Sequence, residues 1–329
     1  MNKWSEFLAT QESQSLQRNN SMYVLDESAL LYVGGEDATD FLQNQLSNDI
    51  QKLNEKTAQL STISNAKGRM LGIFRIIKID GGYLLIMPKD ILPDIQQQLQ
   101  KFIIMAKVVL ADITDSFAIF SFSTDQQDLV STEAYPSELN QVYQSDSLIS
   151  LRLESAENRY RFLMLSNNEQ EAVNLWTTLS QKLIVNDSTG WRLQEIEAAV
   201  PTIYPQTVGA FVLQMSNLQL IGGVSFKKGC FPGQEVVARM QYLGKLKRRM
   251  YLAEINSTTC PKPGDELCVQ GAEKKDGSGK VVDAVQINPQ QCILLFIAQI
   301  EKTEKNELVL FDQPGHKLKL KDLPYLVTE

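Results

Sequence analysis

The stretch Lys227-Lys228-Gly229-Cys230-Phe231-Pro232-Gly233-Gln234-Glu235-Val236-Val237-Ala238-Arg239 has the grammar of a placed side chain. Two lysines lead into Gly229, a cysteine follows, and a Phe-Pro-Gly turn opens a helix-like run over 234–242. Pro232 fixes one backbone dihedral and Gly233 takes positive φ without steric cost, so the turn should hold Cys230 at a rigid corner. Glu235 near the helix start suits the positive end of the helix dipole. A thiolate at that end, beside Lys227 and Lys228, would be stabilised as well. Two readings of Cys230 stay open: a small buried hydrophobe, as lone cysteines usually are, or a functional thiol on a shaped loop. Flanking charges and tight turns weigh towards the second.

Downstream of this stretch the texture changes. Short strand-like runs at 250–255, 266–270, 280–287, 292–300 and 317–320 are separated by turns such as Pro263-Gly264-Asp265 and Asp276-Gly277-Ser278-Gly279. Short strands with regular turns predict a small barrel or sandwich, with a boundary near Gly244. Upstream, strand-like runs at 29–33, 73–79, 83–87 and 106–111 alternate with helical patterns. Asp37 is placed to cap a helix through Phe41, Leu42 and Leu46. Residues 90–102 read as a helix with Pro93 in its first turn. A similar order recurs: strands at 117–122, 148–153 and 160–165, then a helix over 168–183 with Val173, Trp176 and Leu179 on one stripe. The expectation is α+β, with an N-terminal half over 1–112, a second half over 113–243 and a β-barrel over 244–329. The first twenty residues are polar and predict a short helix at most.

The 329 residues, 43% apolar and 22% charged, are those of a soluble globular chain. A formal net charge of −7 argues against general nucleic-acid affinity. Residues 227–249 oppose that trend: Lys227, Lys228, Arg239, Lys245, Lys247, Arg248 and Arg249 face the single acid Glu235. Such a patch suits an anionic ligand, a docking surface or simply a solvated face. Cys230, Cys260, Cys268 and Cys292 form no CxxC pair and read as free thiols of a reducing compartment. The N-terminus lacks the apolar core of a signal peptide, and the longest apolar run, 292–298, falls well short of the ~20 residues of a membrane helix. The expected location is the cytoplasm, with no membrane partner.

Three further features carry chemistry. The single histidine, His316, cannot build a multi-His metal site and reads as a surface residue. Gly279-Lys280 resembles the end of a phosphate loop, but Val281 stands where Ser or Thr is required and Lys274 where the first glycine belongs, so it reads as a hairpin turn. Lys67-Gly68-Arg69 forms a basic turn at a strand mouth. Trp191, Glu195 and Glu197 share a predicted helix that Pro201 ends. A ring to stack on and a carboxylate to accept paired N–H donors suit a flat heterocycle. At ~100° per residue, positions 191 and 197 point about 120° apart. A core tryptophan and two solvated glutamates is the plainer reading.

Together these pieces resemble the YgfZ family, folate-binding relatives of the glycine-cleavage aminomethyltransferase. Residues 227–235 are similar to that family's K-G-C-[YF]-x-G-Q-E signature, and residues 41–49 (FLQNQLSND), 67–70 (KGRM), 196–201 (IEAAVP) and 217–218 (NL) match as well. The resemblance implies a ring of ferredoxin-like α+β subdomains around a folate cavity, closed by the C-terminal β-barrel. It implies a tetrahydrofolate cofactor and a role in making or repairing iron–sulfur clusters, which indirectly supports tRNA modification. Partners would then be iron–sulfur proteins or their assembly machinery, with no direct nucleic acid. By the same resemblance Cys230 is the functional thiol, Glu197 the pterin-binding carboxylate and Trp191 a folate-contacting ring. Lys67, Arg69, Lys228, Gln234 and Arg239 are expected around the cofactor, as is Ser28, which stands where some relatives carry a second tryptophan. Ala199 replaces a usual glycine. Gly72 and Ile73 stand where aminomethyltransferases carry acids, one of which methylene transfer needs; neither can act as acid or base. The leading expectation is an accessory protein, the alternative a tetrahydrofolate-dependent one-carbon transferase, and a third class a thiol scaffold that docks proteins.

Overall fold

Runs of Ile, Leu, Phe and Tyr punctuated by Gly, Asp and Asn become strands through most of this chain. A computed structural model describes residues 3–13, 16, 20–156 and 159–327. The first elements are helix α1 (Lys3–Ala9), strands β1 (Ser21–Val24) and β2 (Ser28–Gly34), and helix α2 (Ala38–Gln45). Then come β3 (Ala58–Ser64), β4 (Met70–Ile79), β5 (Gly82–Pro88), α3 (Leu92–Gln100) and β6 (Val109–Asp112). They are followed by β7 (Ala118–Thr124), β8 (Val142–Gln144), β9 (Leu148–Arg152), β10 (Tyr160–Ser166), α4 (Glu169–Ser180), β11 (Ile184–Asn186) and α5 (Ser188–Glu197). The last are α6 (Gln234–Tyr242), β12 (Arg248–Asn256), β13 (Glu266–Val269), β14 (Gly279–Asn288), β15 (Gln291–Gln299), α7 (Ile300–Glu304), β16 (Leu308–Leu310) and β17 (Gln313–Lys321). They fall into two units, each assembled from separated segments: Met1–Leu42, Ile50–Gln59 and Phe74–Gln194 in one, Gln43–Asp49, Leu60–Ile73 and Glu195–Glu329 in the other.

In the first unit a six-stranded sheet runs β11-β1-β7-β10-β9-β8. Period-2 alternation divides its core between two faces. Phe120, Phe122, Phe162 and Met164 face one cluster with Trp4 of α1 and Trp176 of α4. Ile119, Leu163 and Leu165 face another, shared with Leu30 of β2, Ile77 of β4 and Leu84 of β5. Those latter strands belong to a sheet of order β3-β4-β5-β2-β6. Strand β1 pairs parallel with β11 and antiparallel with β7, so a strand from the first 112 residues joins the sheet expected of the second half. Pro93 sits in the first turn of α3 as predicted. Asp37 does not cap α2 with its side chain; its carboxylate accepts from the Lys107 amide at 2.7 Å. Asn168 is the true cap of α4, its side chain accepting from Glu171 N at 3.1 Å.

In the second unit, β12-β15-β14-β13-β16-β17 close a barrel. Cys292, Leu294, Phe296 and Ala298 alternate into its core with Leu267, Val281 and Leu310. The irregular segment before α6 is tied to the barrel by polar contacts. Tyr204 Oη donates to Asp283 at 2.7 Å, and Asn217 Nδ2 donates to the Met250 carbonyl at 3.1 Å. The α+β architecture with a terminal barrel is as the sequence predicts. The three-residue β16 and the single-turn α7 were not anticipated, because neither is long enough to show a period.

Candidate functional site

The corner that carries Cys230 is built entirely within the second unit. Lys228 is buried, and its ammonium donates to the carbonyls of Gln43, Leu46 and Asn48, the last at 3.1 Å. Gln43 and Leu46 lie at the C-terminal end of α2, where helical carbonyls lack intrahelical donors and a cation is favoured. Burial pushes the Lys228 amine down to about 8, with Asp49 acting the other way. The Phe231 ring lies 5.4 Å from the ammonium. An ammonium has three N–H donors, and all three are engaged here. Lys228, expected at the cofactor, therefore has no donor left for it and serves as a clamp on residues 43–48. Three more bonds extend the clamp. Ser47 Oγ donates to Gly223 O at 2.8 Å, Asn48 Nδ2 to Gly222 O at 2.7 Å, and Ser225 N to Ser47 O at 3.1 Å.

The Phe-Pro-Gly turn meets the Lys67-Gly68-Arg69 turn backbone to backbone. Gly233 begins α6 with φ 82° and Gly68 has φ 69°. A Cβ on Gly233 would lie 2.5 Å from Gly68 Cα and 2.6 Å from Asn65 O, closer than atoms can pack. The Asn65 side chain organises the lower turn by accepting from Lys67 N at 2.9 Å and Arg69 N at 3.1 Å. Gln214 Nε2 anchors α6 through the Val237 carbonyl at 2.6 Å. Phe231 is buried beneath the corner, while Gly229, Cys230 and Arg239 are exposed and Gln234 is half-buried. The buried-hydrophobe reading of Cys230 is thereby removed. Lys67 is exposed, and Arg69 is half-buried with Nη1 donating to Ala210 O at 2.6 Å.

Trp191 and Glu197 both stand on α5. Trp191 is half-buried in the first unit, packed against the sheet core, and the Arg161 guanidinium lies 4.1 Å over its ring. Arg161 is fixed in turn by the carbonyls of Glu154 at 3.2 Å and Gln194 at 3.4 Å. Ser28 opens β2 in the same unit, opposite Pro88. Glu195 is 8% exposed, whereas Glu197 is only half-buried, so Glu197 is the acid that solvent reaches. Just beyond the helix, Ala199 has φ 50°, the left-handed conformation that the usual glycine would take without strain. Its carbonyl accepts from Tyr325 Oη at 3.2 Å, and Asn217 Nδ2 lies 3.4 Å from the same hydroxyl. Burial pushes that phenol up to about 12. Tyr325 thus ties the 196–201 and 217–218 stretches to the chain end. Sequence reasoning missed it, since a lone tyrosine in a polar tail carries no pattern.

Cys260 is half-buried, and Cys268 and Cys292 are buried in the barrel; none of the four cysteines is in a disulfide. His316 is exposed on β17, against the Asn256 carbonyl. Among the described residues no group of three or more His, Cys, Asp or Glu side chains is placed to hold a metal ion, and no helix is long and apolar enough to cross a membrane.

No family model matches the chain. A protein of Klebsiella pneumoniae (strain 342), named tRNA-modifying protein YgfZ, is 28% identical over 329 residues, covering 99% of each chain. A protein of the same name from Pectobacterium carotovorum subsp. carotovorum (strain PC1) is 28% identical over 317 residues, covering 96% of this chain and 94% of that one. Among solved structures, the glycine cleavage system aminomethyltransferase T from Bartonella henselae superposes with a TM-score of 0.70. That match covers 93% of this chain and 86% of the other at 11% identity, a likeness of fold. The chain is thus similar from end to end in sequence to proteins named tRNA-modifying protein YgfZ, and over 93% of its length in fold to an aminomethyltransferase.

Proposed function

We propose that this protein is a cytoplasmic, folate-binding accessory factor for the synthesis or repair of iron–sulfur clusters, and that it supports tRNA modification through the enzymes that carry those clusters. The observation that carries this reading is the exposed Cys230, on a corner fixed by Lys228, Gly233 and Gly68, in a chain alike throughout to proteins named for tRNA modification. The residues on α5 fit a tetrahydrofolate. Glu197 is accessible enough to accept the ring N–H donors, and Trp191 on the same helix is a half-buried ring of the kind a flat heterocycle stacks on. Bound tetrahydrofolate would supply one-carbon carrying capacity. The protein's own part is to hold the pterin and present the thiol. A one-carbon transferase of the aminomethyltransferase type is not favoured, because Gly72 and Ile73 are buried on β4 and bring no acid to those positions.

The test has two arms. In calorimetric titration with tetrahydrofolate, Glu197→Ala should lose about 2–3 kcal/mol of binding, since the missing acceptor is charged. In cells with an iron–sulfur-enzyme defect that the wild type complements, Cys230→Ser should stay folded and fail to complement, because a hydroxyl is a poor nucleophile and soft-metal ligand. Equal folate affinity in the first arm removes the Glu197 assignment. Full complementation in the second removes the thiol from the mechanism.

A further inference from the structure

A cavity of about 250 Å³ in the second unit is lined by Arg69, Arg248, Lys280 and Glu266, with Phe211 and Ile297 as apolar wall. Its electrostatics are unbalanced. Lys280 has Glu266 at 3.6 Å. Arg69 and Arg248 have no carboxylate within ion-pair distance among the described residues; their bonds go to backbone carbonyls. Arg69 donates to Ala210 O at 2.6 Å, and Arg248 to Ser278 O at 3.2 Å and Gly277 O at 2.6 Å. The acid that acts on Arg248, Asp276, is already taken up by Lys302 at 3.2 Å, Ser278 N at 2.9 Å and Val269 N at 3.4 Å. Two positive charges of the lining are left uncompensated. Burial, and then the like charge of Arg69, lower the Arg248 pKa, with Asp276 acting the other way, so the two guanidiniums feel each other.

Two guanidiniums that line one cavity and repel each other, without a paired acid, are costly unless an anion joins them. Each guanidinium carries five N–H donors in a planar fork, and the carbonyls above use one on Arg69 and two on Arg248. Forks of this kind match the oxygens of a phosphate bidentately. A dianion balances two charges where a single carboxylate balances one. The volume lies below the roughly 300–1,000 Å³ of drug-sized pockets, which suits a phosphate with little attached. The glycine turn that fails as a phosphate loop in sequence enters here by geometry. Gly277 and Gly279 line the same cavity, and Gly277 has φ 66° with open space where a side chain would be.

We propose that this cavity binds a phosphate dianion, free or as the monoester end of a small molecule, between Arg69 and Arg248. The site does not rest on the folate reading, and it gives Arg69 a ligand other than the cofactor. The experiment is calorimetric titration of the full chain with inorganic phosphate at fixed ionic strength, with chloride as control. Arg248→Gln and Arg69→Gln should each weaken binding about tenfold or more. Arg248 also supports the 276–279 turn, so Arg69→Gln serves if the first variant misfolds. Glu266→Gln should tighten binding about threefold or more, because it removes the one opposing charge of the lining; damage to the fold would not do so. Glycerol 3-phosphate binding more tightly than inorganic phosphate assigns the site to a small monoester, and equal or weaker binding assigns it to the free ion. Phosphate no better than chloride, affinity unchanged by both arginine substitutions, succinate binding more tightly than phosphate, or weaker binding in Glu266→Gln would each overturn the proposal.

Discussion

Lys228 shows how a single side chain is misread in one dimension. Next to Cys230 it reads as a charge placed for the thiol, yet its acceptors, Gln43, Leu46 and Asn48, lie about 180 positions earlier in the chain. An amine at about 8 is still mainly protonated at neutral pH, so the clamp is intact there. Lys228→Met would leave three carbonyls without their donor, at roughly 1–3 kcal/mol for each that stays buried and dry. Water and local relaxation recover part of this, so a net loss of about 3 kcal/mol is expected, read as a lower urea midpoint at unchanged slope. Lys228→Arg should not restore the loss, because a planar fork does not match acceptors arranged for a compact ammonium. Exposed Lys227→Met is the control and should stay within about 0.5 kcal/mol. Equal midpoints for Lys228→Met and the control would mean that the carbonyls do not need the ammonium.

Among the elements, the Pro-Gly corner was legible because its chemistry is local: Pro232 restricts φ, Gly233 permits the left-handed value, and α6 begins where expected. The corner's partner was not legible. Nothing in Lys67-Gly68-Arg69 says that its glycine lies under another glycine 165 positions later, with room for no Cβ between them. The barrel strands showed through because largely apolar runs of nine and ten residues, such as β15 and β14, stand out between turn residues, while the three-residue β16 is too short to stand out. Gly233→Ala should combine left-handed strain of about 1–2 kcal/mol with overpacking of about 1–3 kcal/mol. A stability loss near 3 kcal/mol follows, together with a changed labelling rate at Cys230 as the corner shifts. Gly229→Ala, where an added Cβ meets nothing within 4 Å, should do neither. Indistinguishable melting of the two variants would show that the turns do not depend on their close approach.

For the whole molecule, the fold class could be read because composition and periodicity report burial. The grouping of segments could not, because residues 43–49 and 60–73 belong with the C-terminal unit through contacts no local pattern encodes. The same global burial ranks the four thiols. Cys230 is exposed, Cys260 half-buried, and Cys268 and Cys292 buried on barrel strands. Burial raises the Cys268 thiol, and Asp276 and Asp312 push it the same way. Burial also raises Cys292, against a hydrogen bond with Cys260. A raised thiol pKa keeps the reactive thiolate scarce until the pH passes the ordinary value of about 8.5. Alkylation at neutral pH, mapped by mass spectrometry, should therefore label Cys230 first, Cys260 more slowly, and the two barrel thiols only on unfolding. As pH rises past about 9, the Cys268 and Cys292 rates should stay limited by barrel opening, because a buried sulfur needs access as well as charge. A denaturant pulse should bring all four to similar rates. Labelling of Cys268 or Cys292 ahead of Cys230 in the native protein would mean that the barrel opens more readily than the corner, and that the corner does not present its thiol.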